Sequence, residues 1–231
     1  MINPVEIGNS IAKQILFESD DTKKVVIYSG RFQPFHEGHY LTYSHLVKKF
    51  GKDNVFIGTS NKVEKPKSPL NFKEKVKVMT TMFSIPRNRI VQVKNPYAPK
   101  EILSKFPQDT VFVTVVGGKD ASRLSGKYFQ KYEDGIDFSG YMEKGYIYIA
   151  PMISSMSGTQ VRSMLGDPSL SEEEKKLNFK KIYGKFNQSI FDLVTSKLTE
   201  SIVEKWLIER GGKLFEGSVS SIGPDDGPAF V

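Results

Sequence analysis

Residues 24–39 of the chain read KVVIYSGRFQPFHEGH, and they are its most informative segment. Residues 24–28 have the apolar, β-branched composition of a buried strand. A turn that contains glycine and proline follows, and residues 40–47 have the apolar spacing of a helix. The segment therefore predicts a strand, a tight turn and a helix in succession.

The N-terminus of the predicted helix is rich in histidine. His36 and His39 flank Gly38 there, and His45, the remaining histidine of the chain, follows on the same helix. A helix N-terminus has unpaired N–H groups and a partial positive charge, and both attract phosphate. Imidazoles at that position can also stabilise charge that develops on a phosphate during a reaction. A proline-containing turn with structural histidines is the alternative, but the strand–turn–helix context favours a phosphate site.

Strand-like and helix-like segments alternate along the middle of the chain. After a first strand at residues 24–29, the apolar patterns predict strands at 54–59, 89–93, 110–116 and 145–150 and helices at 37–50, 71–83 and 99–106. This alternation predicts an α/β fold with a doubly wound, Rossmann-like parallel sheet of five strands. Ligands of such sheets bind at the carboxyl ends of the strands, where the histidine-bearing turn lies.

The other segments flank this predicted sheet domain, which we place at residues 23–170. Residues 1–22 are predicted to form a helix and a linker, and residues 171–215 to form C-terminal helices. Residues 216–231 are rich in Gly, Ser and Pro, and they are predicted to form a flexible tail. We expect the C-terminal helices to pack on the sheet domain, and a homo-oligomer formed through them is the alternative.

The composition favours anionic partners. The 33 Lys and Arg against 26 Asp and Glu give a net charge of +7, which a nucleoside triphosphate or a nucleic acid would complement. The lysine-rich residues 62–77 have little aromatic interleaving, so we interpret them as a solvated helix face and loop and do not expect nucleic-acid binding. The lack of cysteine excludes disulfides and thiolate metal sites. Without an apolar run of ~18 residues or a signal-peptide pattern, we expect a cytoplasmic protein with no membrane partner.

A second phosphate-binding segment follows the last predicted strand. Residues 157–159 read Ser-Gly-Thr and resemble a helix N-terminus with Ser157 as its cap. The amides and hydroxyls of such a terminus can bind a phosphate chain. Arg162 lies about one turn into the helix, and its guanidinium suits phosphate oxygens. An ordinary capped helix is the alternative.

These two segments resemble the signatures of the nucleotidyltransferase superfamily, the H-x-G-H cytidylyltransferase-like proteins. Six residues match its G-x-F-x-P-x-H-x-G-H pattern between a strand and a helix: Gly30, Phe32, Pro34, His36, Gly38 and His39. Residues 155–162 are similar to its second signature, written I-S-G-T-x-x-R or S-S-T-x-x-R. Arg31 and Gln33, with the Ser-Gly-Thr form of the second signature, most resemble the archaeal-type nicotinamide mononucleotide adenylyltransferases. The resemblance covers about residues 24–170.

The resemblance implies that residues 23–170 are a nucleotidyltransferase domain. Its expected reaction transfers a nucleotidyl group, here adenylyl from ATP, to a phosphate-bearing acceptor such as nicotinamide mononucleotide, and releases pyrophosphate. Mg²⁺ is expected to bridge the nucleotide phosphates, with few or no protein ligands. The implied catalytic residues are His36, His39 and Arg162. The implied nucleotide-binding residues are Gly30, Arg31, Phe32, Gly117, Gly118, Asp120, Ser157, Gly158 and Thr159, and the implied acceptor-binding residues are Lys75 and Tyr97.

Two departures from the archaeal-type pattern leave the acceptor open. Residues 68–75 match the N-P-F-T-x-x-E-R element of those enzymes only at Pro69 and Glu74, and Lys75 stands at its arginine position. The segment around Tyr97 lacks the tryptophan that helps to stack nicotinamide in those enzymes, and Tyr97 is the expected substitute. Cytidylyl transfer to a phosphorylated alcohol and adenylyl transfer to phosphopantetheine or flavin mononucleotide remain alternatives.

Two further classes of protein are alternatives to a small-molecule nucleotidyltransferase. Class I aminoacyl-tRNA synthetases share the H-x-G-H element, but residues 155–159 lack the lysines of their K-M-S-K-S loop and the chain is short for a tRNA-binding domain. The other class is a non-catalytic structural or nucleic-acid-binding protein that retains the fold. The histidine pair and Arg162 disfavour it, because binding alone does not require them.

Overall fold

The computed structural model describes residues 23–118 and 126–218, and the side chains of all of these except residues 211–218. The strands in this part of the chain are β1 (Lys24–Ser29), β2 (Val55–Thr59), β3 (Ile90–Gln92), β4 (Val111–Val116), β5 (Phe129–Lys131) and β6 (Gly145–Ile149). They form one sheet in the order β3-β2-β1-β4-β6-β5, and every neighbouring pair is parallel. The predicted doubly wound parallel α/β sheet is therefore confirmed.

The predicted number of five strands is wrong, because the described residues contain six. The additional strand, β5, has only three residues and pairs with β6 at the edge of the sheet. Its sequence, Phe-Gln-Lys, has one apolar residue and none of the three is buried, so it lacks the apolar pattern by which the other strands were predicted. The other five strands lie where they were predicted, with boundaries that differ by no more than a few residues.

The helices are α1 (Glu37–Phe50), α2 (Phe72–Phe83), α3 (Lys100–Leu103), α4 (Gly158–Gly166), α5 (Glu172–Tyr183) and α6 (Gln188–Ser218), with a 3₁₀ turn at Arg87–Arg89. Helix α3 is shorter than the predicted 99–106, and α6 extends past residue 216, where the tail was predicted to begin. The predicted helix and linker at residues 1–22, and the tail from residue 219 onwards, lie outside the described residues. None of the described helices combines the length and the apolar character needed to cross a membrane.

Both faces of the sheet are covered, and the central strand β4 is buried along its whole length. On one face Val26, Val113 and Tyr146 belong to a core that also contains apolar residues of α1, α2, α4, α5 and α6. On the other face Val25 and Phe112 pack with residues of α3. The carboxyl ends of β1 and β4 are neighbours in this sheet, so the loops that follow them open onto the same cleft.

Helices α4 and α6 cross closely at Gly166. A Cβ atom at this position would lie 2.8 Å from Ile202 Cδ1 and 2.9 Å from Leu198 Cβ. We expect Gly166→Ala to force the helices apart and to lower the free energy of unfolding by about 1–3 kcal/mol. Ser163→Ala is the matched control, because Ser163 is exposed on the same helix and its substitution should change stability by less than ~0.5 kcal/mol. Urea unfolding measures both, and equal stability of the two variants would contradict the predicted close crossing.

Candidate active site

The turn between β1 and α1 is packed around a buried phenylalanine. Phe32 is 4% exposed, and its backbone lies in the left-handed region with φ of +48°. Its ring lies against Gly30, where a Cβ atom would be only 2.7 Å from Phe32 Cζ. The same ring meets the imidazole of His39 edge-on, with 5.0 Å between centroids. Gly30 is therefore required for the ring that supports His39 to occupy this position.

His36 and His39 cap α1 through their own imidazoles. Nδ1 of His36 accepts a hydrogen bond from Gly38 N–H at 3.2 Å, and Nδ1 of His39 accepts one from His36 N–H at 3.4 Å. A backbone N–H can only donate, so the neutral form of each ring must carry its proton on Nε2. The two rings lie 3.9 Å apart between centroids. The capping arrangement thus gives two Nε2–H donors at one helix N-terminus.

Burial keeps both rings neutral near pH 7. It lowers the pKa of His36 from 6.5 to about 4. Burial also holds the pKa of His39 well below its usual value, and a charge on His36 would lower it further. Nε2 of His36 is buried and has no hydrogen-bond partner among the described residues. An unpaired buried donor is costly for stability, and a ligand oxygen that reached it would remove the cost.

The N-terminus of α4 brings Arg162 to the same place. Ser157 caps the helix by accepting from Gln160 N–H at 3.2 Å. Arg162 donates through Nη1 to the backbone oxygen of Gln33 at 2.9 Å and through Nη2 to Thr159 Oγ1 at 2.9 Å. Burial, and secondarily the charge of Arg31, lower the pKa of Arg162. The guanidinium is therefore a partly desolvated cation held beside a second cation.

Two adjoining clefts lie at this edge of the sheet and share Arg31. The first, which we call the strand-end cleft, has a volume of about 350 Å³ and lies at the carboxyl ends of β1 and β4, with Tyr97 in its wall. The second, the cationic cleft, has a volume of about 480 Å³ and is lined by Arg31, Phe32, Gln33, His39, Lys67, Gly158, Thr159 and Arg162. An elongated anion with an attached ring could therefore occupy both.

The structure brings most of the predicted site residues to these clefts. Gly30, Arg31, Gly117 and Tyr97 line the strand-end cleft. The predicted residues that line the cationic cleft are Arg31, Phe32, His39, Gly158, Thr159 and Arg162. His36 is buried against His39, and Ser157 serves as the cap of α4. Gly118 lines neither cleft, and Asp120 lies outside the described residues. His45 lies farther along α1, where its Nε2 and Tyr148 Oη are 2.8 Å apart.

Lys75, the other predicted acceptor-binding residue, is buried and lines neither cleft. It is 1% exposed, and Nζ donates to Thr59 Oγ1 at 3.1 Å and to the backbone oxygen of Ser60 at 2.8 Å. Burial lowers the pKa of Lys75 to about 8. The residue faces inward from α2 beneath the end of β2, so the structure assigns it a structural contact. The direction in which α2 presents this side chain depends on contacts with Thr59 and Ser60, so the motif spacing alone could not predict it.

Sequence reasoning also missed the contribution of Gln33. Its side chain is buried, with Nε2 donating to Leu70 O at 2.8 Å and Oε1 accepting from Leu70 N–H at 2.9 Å. Its backbone oxygen is the acceptor for Arg162. Neither contact has a local sequence signal, since each joins segments far apart in the chain.

A family model described as cytidylyltransferase-like matches residues 27–164, which is more than half of the chain. The chain belongs to the cytidylyltransferase-like family. Nicotinamide-nucleotide adenylyltransferase of Methanolobus tindarius is 39% identical to it over 49 residues, which make up 21% of this chain and 28% of the relative. The chain is thus matched to little more than a quarter of that protein.

A solved structure from Francisella tularensis also resembles this member of the family. It is a bifunctional NMN adenylyltransferase/ADP ribose pyrophosphatase complexed with AMP and a manganese ion. The two superpose with a TM-score of 0.51 at 12% identity, over 88% of this chain and 58% of that one. At this level of identity the likeness shows the fold alone, and it agrees with the sheet described above.

His36 should make stability depend on pH. Its pKa is about 4 when folded against 6.5 ordinarily, so the unfolded chain binds more protons between these values and stability falls as the pH drops through them. The variant His36→Asn retains a capping oxygen but does not titrate in this range. We therefore expect its free energy of unfolding to fall by up to about 3 kcal/mol less than that of the wild type over this pH range. Urea unfolding from pH 7.5 down to roughly pH 4.5 measures the slope. Above about pH 7, the difference in unfolding free energy between the variant and the wild type should be constant. If the two plots of unfolding free energy against pH stay parallel below that pH, the low pKa of His36 is contradicted.

Proposed function

We propose that this protein is a nucleotidyltransferase that transfers the adenylyl group of ATP to a phosphate-bearing acceptor, with nicotinamide mononucleotide as the first candidate. The observation that carries the proposal is the pairing of two neutral imidazoles at the N-terminus of α1 with Arg162 at the N-terminus of α4. Family membership supports nucleotidyl transfer, and the name of the Methanolobus relative supports this acceptor.

The reaction is a single displacement at phosphorus. An oxygen of the acceptor phosphate attacks the α-phosphorus of ATP, the bond from that phosphorus to the bridging oxygen breaks, and pyrophosphate leaves with the bonding electrons. The attacking oxygen is already anionic, so neither a general base nor a covalent intermediate is needed. Positioning of the phosphates and stabilisation of their charge are sufficient for catalysis.

The hydrogen-bond donors of the site are suited to stabilise negative charge at the α-phosphate and on the leaving pyrophosphate. His39 lines the cationic cleft, and we propose that its Nε2–H donates to an oxygen of the α-phosphate, with the buried Nε2–H of His36 next to it. Arg162 and the N-terminus of α4 would bind the β- and γ-phosphates and then the leaving pyrophosphate. Because the imidazoles are neutral near pH 7, they can donate without a prior protonation step.

A divalent ion would enter this site with the nucleotide. The described residues contain no group of three or more His, Asp or Glu that could hold a metal ion, and the cationic cleft is lined by Arg31, Lys67 and Arg162. We propose that Mg²⁺ would be bound as part of the Mg–ATP substrate, where it would neutralise part of the phosphate charge beside these cations.

The strand-end cleft supplies space for the ring systems of the substrates. Tyr97 is 40% exposed in its wall, so its ring is available to stack on a planar base. The loop that carries it is held in place, because Ser29 Oγ donates to Pro96 O at 3.0 Å and Tyr97 N–H donates to Asn95 Oδ1 at 2.9 Å. Tyr97 is thus the proposed substitute for the tryptophan of the archaeal-type enzymes.

Pyrophosphate release by the purified protein tests the proposal. ATP and CTP are each supplied with Mg²⁺ against nicotinamide mononucleotide, nicotinic acid mononucleotide, phosphopantetheine, flavin mononucleotide and a phosphorylated alcohol. We expect release with ATP and nicotinamide mononucleotide. Release only with CTP would replace adenylyl by cytidylyl transfer, and no release from any pair by a folded protein would contradict the enzymatic function.

The role of His39 gives a sharper kinetic prediction. His39→Asn keeps an oxygen that can accept from His36 N–H but removes the distant Nε2–H donor, so kcat should fall about a hundredfold to a thousandfold. His45→Asn is the control on the same helix, and its kcat should change by less than about twofold because His45 lies outside both clefts. Initial rates and thermal midpoints are measured together. A folded His39→Asn protein with undiminished kcat would refute the assignment.

A further inference from the structure

The loop between β2 and α2, residues 61–70, carries a lysine that the sequence patterns assigned to solvent. Lys67 is exposed and lines the cationic cleft together with Arg31, His39 and Arg162. Within the described residues it has no acidic partner, whereas Lys62 is paired with Glu64. Lys67 therefore faces the cleft as an uncompensated cation.

Four sets of contacts hold this loop against the cleft. At its base, Asn61 Oδ1 accepts from Phe72 N–H at 2.8 Å, and the Gln33 amide makes its two hydrogen bonds with Leu70. Near its tip, the backbones of Glu64 and Ser68 exchange hydrogen bonds of 2.9 and 2.6 Å. At its side, Lys65 Nζ lies 2.9 Å from Glu204 Oε2 of α6. These contacts hold the loop in a short hairpin conformation beside the cleft.

Gln33 fixes the two walls of the cleft relative to each other. Its side chain holds the backbone of Leu70, three residues after Lys67, while its backbone oxygen holds the guanidinium of Arg162. Both side-chain hydrogen bonds to Leu70 are buried, so water does not compete for them. The separation between the two cations is therefore set through a single residue.

We propose that Lys67 binds the β- and γ-phosphates from the wall opposite Arg162 and retains them as the leaving pyrophosphate, and that Gln33 is the positioning residue for both cations. This proposal rests on the proposed function and adds residues to it. The described residues that line the cationic cleft include no carboxylate, so a polyphosphate entering it would meet the three cations Arg31, Lys67 and Arg162 without an acidic side chain among them.

Binding of inorganic pyrophosphate to the whole chain tests the contact without any acceptor. In isothermal titration with Mg²⁺ present, Lys67→Ala should raise the Kd for pyrophosphate about tenfold, and the KM for ATP should rise by a similar factor. Lys67→Arg should stay within about threefold of wild type because it keeps the charge. Lys62→Ala is the matched control from the same loop, and its Kd should change less than about twofold. Raising the ionic strength should shrink the effect of Lys67→Ala.

The outcomes separate this inference from the proposed function. Turnover with an unchanged pyrophosphate Kd in Lys67→Ala would overturn the role of Lys67 and leave the adenylyltransferase in place. Pyrophosphate binding that depends on Lys67, without turnover of any acceptor, would support the anion site and remove the proposed reaction. Equal losses in Lys67→Ala and Lys62→Ala would show general charge attraction and overturn the specific contact.

A double-mutant cycle tests Gln33. Gln33→Met removes the two bonds to Leu70 but leaves the backbone oxygen that binds Arg162. If Gln33 positions Lys67, the effect of Lys67→Ala on pyrophosphate Kd should fall from about tenfold to less than about threefold in the Gln33→Met background. Thermal midpoints confirm that the variants are folded. Full additivity of the two substitutions would reduce Gln33 to a packing role and overturn this part of the proposal.

Discussion

The two hydrogen bonds by which the imidazoles of His36 and His39 cap α1 also fix the rings beside the cationic cleft. Each bond satisfies a backbone N–H at the N-terminus of α1, a role that Ser, Thr, Asp or Asn usually fulfils. Since the backbone must donate, each imidazole is fixed with its proton on the far nitrogen. Serine would cap the helix without a donor beyond the cap, and the short amide of asparagine would not extend as far as Nε2 of an imidazole. The Nε2–H donor on the far side of each ring therefore explains why histidine occupies these two positions.

Several energetic costs are concentrated around these two rings. Phe32 has a left-handed backbone, His36 Nε2 is a buried donor without a partner, and Arg162 is a partly buried cation beside Arg31. Each feature lowers the stability of the folded chain by itself. Their occurrence together is typical of a binding site, because a bound polyphosphate would pair with the donor and neutralise the cations.

The contrast between β4 and Lys75 shows how far the sequence could predict this structure. Strands such as β4 and the turn before α1 are encoded by consecutive residues, so composition and motif spacing located them. The three-residue β5 and the inward direction of Lys75 depend on partners elsewhere in the chain. For the same reason the pairing of Gln33 with Leu70 and the position of Lys67 could not be inferred, although His36, His39 and Arg162 were recognised from local patterns.

The C-terminal helices contribute to the site although they supply none of its lining residues. Arg162 and Thr159 belong to α4, and the other end of that helix is fixed where Gly166 packs against Leu198 and Ile202 of α6. The same helix α6 holds the lysine-bearing loop through Glu204 and Lys65. Helix α6 therefore contacts both the helix that carries Arg162 and the loop that carries Lys67. The segment after the family-matched region thus packs against two of the elements that form the cationic cleft.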